Sequence, residues 1–315
     1  MEAARVRYEP LWKVRLRLWW RSFLTNWELF RESKIGPIGL GIIIFFGLLA
    51  IVYPILMATV WDPAIYDPVT GYDWEVPMHP SPPSTKHLLG TDPWGRDVFA
   101  QLTYSTRAEF FLGVFAAFIT VFIGTLVGSI SAYYGGFVDT FFMRLADVVM
   151  LFPMLAFLIV LSAMMDLNLY SLAVVIGIIG GFGGITIILK SQALSVKVKP
   201  YIEAAKVAGG SHFHIIVTHI IPNVLPLSFL YMMFNVTGAI FTEAVLSFFG
   251  LLNIQMSWGI MVEMANISGY LIGENVTRYW WLFWPASLSI TLLCSAFYLV
   301  GRGIDEIVNP RLRKR

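Results

Sequence analysis

Residues 201–226 read YIEAAKVAGGSHFHIIVTHIIPNVLP, a polar interruption between two long apolar runs. Pro200 suits the first turn of a helix, and Glu203 falls in that turn, where the helix dipole favours a carboxylate. Ala204, Ala205 and Ala208 give this helix a thin surface, and Gly209-Gly210 ends it, Gly209 by allowing a positive φ. Ser211 can cap a second helix that Pro222 closes. The expected product is a protruding helix-turn-helix knuckle. So little side-chain bulk suits insertion into a groove on another protein. An ordinary interfacial helix pair joining two spans fits the same residues, and spacing alone leaves both open.

Working outward, the 315-residue chain is 57% hydrophobic and 13% charged, outside the balance of soluble domains. Crossing ~30 Å of hydrocarbon takes roughly 20 mostly apolar residues. Six such runs are expected, at about 38–60, 108–133, 141–165, 169–190, 224–250 and 280–303. Charge patterning tests that count, because short loops rich in Lys and Arg stay cytoplasmic. Residues 1–34 carry eight Lys/Arg, 191–223 carries Lys197, Lys199 and Lys206, and the tail carries Arg302, Arg311, Arg313, Lys314 and Arg315. The segment 61–106 sets only Lys86 and Arg96 against six acids, the link near Asp166 has no base, and 251–279 has only Arg278. The sequence therefore predicts an all-α, polytopic membrane protein with six transmembrane helices and both termini cytoplasmic.

The expected organisation is a cytoplasmic interfacial segment at 1–34, a first transmembrane helix at 35–60, an external loop at 61–106, a transmembrane core at 107–303 enclosing the loop 191–223, and a basic tail at 304–315. Within the first segment, Leu16, Trp20, Phe23, Trp27 and Phe30 alternate steps of four and three, the spacing of an interfacial helix. The first apolar run follows this basic, aromatic tract without a clear cleavage signature and is expected to stay in the mature protein. Pro, Asp and Tyr density in 61–106 predicts turns in a long loop that rests against something. Glycines such as Gly124, Gly128, Gly177 and Gly181 permit close helix packing or bends lining a cavity.

Several chemistries are excluded. No lysine follows a glycine, so a phosphate-binding G-x-x-x-x-G-K-[ST] loop is absent, as are H-E-x-x-H and G-x-S-x-G. The chain is not expected to be an enzyme or to bind nucleic acid. Cys294 is the single cysteine, so intrachain disulfides are excluded. His212, His214 and His219 have no nearby carboxylate or cysteine to complete a metal site, and none is expected.

EAAKVAG at 203–209, followed after ten residues by IIP at 220–222, resembles the cytoplasmic EAA loop of permease subunits in binding-protein-dependent ABC importers. HLLGTDPWGRDVFAQLTYSTR at 87–107, YYGGFVDTFFMRLADVVMLFP at 133–153, EAVLSFFGL at 243–251, SWG at 257–259 and NPRLR at 309–313 resemble the C-type permease of dipeptide, oligopeptide and nickel importers. Ile221 departs from the family's usual leucine, the segment LNIQM is shorter, and the N-terminal tract is longer and more aromatic.

The resemblance implies the type I ABC importer permease fold in the prokaryotic cytoplasmic (inner) membrane. It implies a homologous B-type permease as partner, two ABC ATPase subunits that bind ATP and Mg in place of this chain, and an extracytoplasmic solute-binding protein. Glu203, Ala204, Ala205, Ala208, Gly209 and Ser211 would form the ATPase-coupling element, and Met233, Phe234 and Asn235 would line the pathway. The residues themselves suggest an i, i+3 pair, Arg144–Asp147, structural or gating in role. Glu243 lies about 28 Å along an ideal helix from Val224, toward the outer mouth. A self-sufficient secondary transporter or channel is the competing expectation; it requires coupling charges near the midplane. A structural scaffold is the third.

Overall fold

The computed structural model describes residues 11–308, so the distal basic tail, including the NPRLR motif, lies outside the described residues. Helices dominate, and the described residues contain no β-strand beyond an isolated bridge between Thr91 and Asp97. In chain order, α1 spans Leu11–Glu32, α2 Ile35–Thr59, α3 Pro63–Tyr66, α4 Val98–Tyr134, α5 Gly136–Leu151, α6 Met154–Met164, α7 Leu169–Phe182 and α8 Gly184–Lys197. There follow α9 (Pro200–Val207), α10 (His212–Ile215), a π-helical turn (Ile216–Ile220), α11 (Ile221–Phe248), α12 (Trp258–Ile267), α13 (Asn275–Arg278) and α14 (Trp280–Val308).

Four helical runs are long and apolar enough to cross a membrane: α2, α4, His212–Phe248 and α14. The pairs α5–α6 and α7–α8 bring the number to six if each is one span, but they are bent by 80° and 46°. A straight third span at 141–165 is therefore replaced by a broken one. The break falls at Phe152-Pro153, where the proline ring pushes Phe152 into extended backbone (φ −83, ψ 124). The second break falls at non-helical Gly183.

The long helix α4 is the axis of the bundle, packed by α2, α7, α8 and α11, while α14 packs on α2, α11 and α12. Contact with α7 and α8 is at backbone range. A Cβ on Gly177 would stand 2.5 Å from Ile119 Cβ, and one on Gly128 would stand 2.8 Å from Lys190 N. At these two positions the small residues serve close packing. α1 exposes Trp12, Leu16, Leu18 and Trp20 and buries Phe30 against Gly36 and Gly303, as a helix lying along an apolar boundary does.

The second span begins earlier than its apolar run, at Val98 inside the segment read as loop, and Asp97 caps it by accepting from Ala100 N at 2.6 Å. The preceding segment is built around His87, 1% exposed. Its Nδ1 lies 2.8 Å from Asp97 Oδ2 and its Nε2 3.0 Å from Asp73 Oδ2, while Lys86 also reaches Asp73. Two carboxylates, one at each ring nitrogen, call for both N–H groups to donate, which only the imidazolium can do. The bond to Asp97 raises the His87 pKa above its ordinary 6.5; burial opposes that and the bond to Asp73 adds to it. Burial pushes the Asp73 carboxyl up, but the bonds from Lys86 and His87 outweigh it and leave the group at about 2. Arg96 Nε donates to Asp92 Oδ2 at 2.7 Å, and Gln101 Nε2 donates to the same oxygen at 2.8 Å. The loop thus rests on the head of α4.

Two outcomes follow. Gly128→Ala lowers the melting temperature of the detergent-purified chain by the equivalent of about 1–3 kcal/mol. Gly238→Ala, whose Cβ would meet nothing within 4 Å, leaves it unchanged or raised. For His87, the native pKa lies above the unfolded one, so its contribution is full below about pH 6.5 and is lost as pH rises through the native value. Protection against hydrogen exchange across 61–97, corrected for the intrinsic pH dependence of amide exchange, falls over that rise, and His87→Gln removes this pH-dependent change in protection.

Candidate functional site

The knuckle forms as its residues dictate. Pro200 occupies the first turn of α9 with Glu203 beside it, and Gly209 follows at φ +85, a left-handed conformation that favours glycine. Gly209 N donates to Lys206 O and Gly210 N to Ala205 O, both at 3.0 Å, closing the helix end. Ser211 Oγ accepts from His214 N at 3.2 Å and caps α10. Beneath, Ile202, Ile215 and Ile220 are fully buried against Ala132, Tyr133, Leu189 and Ala193. Glu203, Ala204, Ala208, Gly209 and Ser211 are exposed, whereas Ala205 is half-buried and packs on the cluster below.

Two residues that the sequence reading did not single out dominate the tip. Val207 is 90% exposed and Phe213 is 75% exposed, one on each side of the double glycine. Val207 stands five positions from buried Ile202, off the packed face of α9, which was a readable signal. Two contacts tie the knuckle to the adjoining end of α4, and a third ties α8 to that same end. Tyr133 Oη and His212 Nδ1 lie 2.7 Å apart, Lys197 Nζ donates to Ala132 O at 2.9 Å, and Lys206 Nζ lies 5.7 Å from the centre of the Tyr133 ring. Of the other loop histidines, His214 meets Thr218 Oγ1 at 3.3 Å, and His219 stacks edge-on against His214. Among the described residues no three His, Cys, Asp or Glu side chains are grouped to hold a metal ion.

Along α4 and α11 runs a trough assembled from three adjoining concavities. Toward the knuckle, Phe118, Phe122, Leu225 and Phe229 line one of about 230 Å³. The next, about 480 Å³ and lined by Phe111, Val114 and Phe115, shares Phe118 and Met232 with it. The last, also about 480 Å³, shares Phe111 and lies at the end of the bundle opposite the knuckle. That end gathers the head of α4, the α6–α7 link and the residues after α11; Asn253 N donates to Leu167 O at 2.8 Å across it.

Met233, Phe234 and Asn235 are not among the residues that line these concavities. Phe234 lies against Tyr298, and Met233 and Phe234 both crowd Gly301 of α14. Asn235 Nδ2 donates to Tyr231 O of its own helix at 2.7 Å. Arg144 and Asp147 do form a local pair, 3.3 Å apart and exposed. Glu243 is fully buried and accepts from Ser247 Oγ at 2.6 Å; facing it is Glu109 of α4, also fully buried and absent from the sequence-derived candidates.

The described residues thus form a bundle of membrane-length helices with an apolar trough along α4 and α11 and a knuckle protruding at one end. The chain belongs to the family of binding-protein-dependent transport system inner membrane components, which matches residues 124–314. It is 33% identical to the dipeptide transport system permease protein DppC of Bacillus subtilis over 292 residues, 91% of this chain and 85% of that protein. The oligopeptide permease OppC of the same organism is 32% identical over 97% of this chain and 94% of its own length. OppC of Haemophilus influenzae is 35% identical over 78% of each chain. The chain is thus a permease of an ABC importer, embedded in a membrane.

Gly209→Val forces a β-branched residue to φ +85, costing about 1–3 kcal/mol locally. Hydrogen exchange rises across 200–211 while the core of α4 keeps its protection.

Proposed function

We propose that this chain is one half of the translocation pathway of an ATP-driven importer of di- or oligopeptides, paired with a homologous B-type permease. Two ABC ATPase subunits carry ATP and Mg and engage the knuckles, and an extracytoplasmic solute-binding protein delivers cargo to the opposite end. The chain lies in the prokaryotic inner membrane with both termini cytoplasmic, as the distribution of Lys and Arg favours. The peptide cargo follows the names of the relatives.

The observation that carries the reading is the exposed, thin-walled knuckle seated on the inner end of α4. Glu203 presents a carboxylate to basic groups of the ATPase. Ala204 and Ala208 leave room for close approach, Ala205 seats the helix on its base, and Gly209 and Ser211 fix the turn. Val207 and Phe213 add apolar anchors that can fill pockets in a groove. Closure of the ATPases on ATP moves the knuckle as a lever and biases a two-state equilibrium between inward- and outward-facing arrangements. The trough along α4 and α11 replaces Met233, Phe234 and Asn235 as this chain's pathway wall. Arg144–Asp147 is a surface pair, and Glu243 holds the outer end of α11 through Ser247.

A self-sufficient secondary transporter or channel has one observation in its favour, the inward-facing carboxyls of Glu109 and Glu243. Both are sealed from solvent, which leaves an ion relay no route to either end.

Affinity purification of the tagged chain from its native membrane tests the reading. A second permease and two ATPases accompany the wild type, and the ATPases are lost or reduced at least about tenfold in Glu203→Lys/Gly209→Pro, an effect of roughly 1.4 kcal/mol or more. Recovery of the chain alone, with uptake intact in the double variant, moves the assignment to a stand-alone transporter.

A further inference from the structure

The trough has an uneven chemistry along its length. Its middle and inner parts are lined almost wholly by Phe, Val, Leu and Met, with Thr125 and Ser228 bonded to each other at 2.8 Å. The cavity at the far end is different. It is walled by Tyr104, Phe111, Tyr170 and Met256, and into it open Arg107 and the amides Asn253 and Gln255. Gln255 accepts from Tyr104 Oη at 3.2 Å, which leaves its amide N–H groups free to donate.

Arg107 is exposed, and among the described residues no carboxylate pairs with it. It closes the YSTR end of the 87–107 motif, a stretch to which the knuckle mechanism gives no task. Glu109, two positions on, points to the opposite side of α4, where it meets Glu243, so it does not neutralise Arg107. A cation with no carboxylate partner among the described residues, in a cavity at the head of an apolar trough, is an arrangement suited to an anionic ligand.

We propose that this cavity is the outer subsite that receives the free C-terminal carboxylate of a peptide, with Arg107 as its bidentate partner. The inference rests on the importer reading above and adds to it the chemical group recognised by the permease itself. A single guanidinium matches a monoanion, and its planar fork fits both carboxylate oxygens. The free amides of Asn253 and Gln255 match the hydrogen-bonding groups of a peptide backbone, and the aromatic and thioether walls accept side chains of varied shape. The volume of about 480 Å³ lies within the usual range for small-ligand cavities. Arg107 is thus a specificity-determining residue at the head of the pathway.

The test uses the full complex with its binding protein in proteoliposomes, with trialanine and trialanine amide as cargo, each at concentrations that saturate the binding protein. Arg107→Gln lowers the maximal uptake of trialanine roughly tenfold or more. It changes uptake of the amide little, so the acid-to-amide ratio collapses, while Arg107→Lys retains most of it and basal ATP hydrolysis is unchanged in both. If the binding protein refuses the amide, trialanine decides: loss in Arg107→Gln with rescue by Arg107→Lys supports the subsite, and equal loss or no loss in both overturns it. Equal loss of acid and amide overturns it in favour of a headgroup anchor for Arg107. An unchanged ratio with normal uptake also overturns it. Failure of the wild-type complex to take up either peptide overturns the cargo assignment, and this subsite with it.

Discussion

Backbone-range packing of α4 against α7 and α8 is the constraint on which the rest of the architecture depends. Where a Cβ on Gly128 would stand 2.8 Å from Lys190 N and one on Gly177 2.5 Å from Ile119 Cβ, there is no room for any larger residue without a shift. Between helices in lipid, association depends on such close van der Waals contact, since burying apolar surface against apolar tails yields little. The contact also accommodates the break at Gly183. A broken helix exposes backbone groups, and these are tolerated at membrane depth where protein covers them. Here α7 and α8 lie against α4 on both sides of the break.

The same helix joins the knuckle to the trough. With 37 residues, α4 is about 55 Å long, well beyond the ~30 Å of hydrocarbon, so its ends project or the helix tilts. Its C-terminal end, at Ala132 and Tyr133, forms part of the base on which Ile202, Ile215 and Ile220 of the knuckle sit. Its middle supplies one wall of the trough, through Phe111, Phe118 and Phe122. Its N-terminal end is capped by Asp97, whose second oxygen bonds His87. A displacement of the knuckle therefore has a continuous path of packed side chains into the trough wall. The other wall, α11, leaves the knuckle directly through the π-helical turn and Pro222.

Much of this was legible in the residues because it is local. Gly209, Ser211 and Pro200 mark the knuckle through turn and cap chemistry confined to a few positions, and the long apolar runs announce membrane helices by length alone. What failed to show was non-local or isotropic. The apolar surface of α11 runs all round, so no periodicity separates the face toward α14 from the face along the trough. Spacing therefore does not announce that Phe234 packs on Tyr298 and Gly301 of α14 while Phe229 and Met232 line the trough. Glu109 reads as a charge near a helix start, and its significance appears only when Glu243, far along the chain, folds against it. His87 likewise needs Asp73 and Asp97 brought to its two nitrogens, a geometry that a Pro-rich loop sequence does not announce. The 80° bend at Pro153 was foreseeable from the ring's effect on Phe152, but hydropathy counted straight through it.

The distribution of polar groups within the bundle gives the two ends different roles. At the knuckle end, polar side chains are used for attachment: Tyr133 with His212, Lys197 with a carbonyl, Lys190 with Asp139 between α8 and α5. Each has its partner within the chain. At the opposite end, the loop clamps are equally complete, with Asp73, His87, Asp92 and Arg96 all satisfied. Arg107, together with the amides of Asn253 and Gln255, stands apart from both sets, open to the trough and without an ion-pair partner among the described residues. A pathway that discriminated by charge throughout would hold its cargo too firmly to release it. A charged head on an apolar trough separates the two tasks: the head selects and orients, and the trough lets the cargo pass.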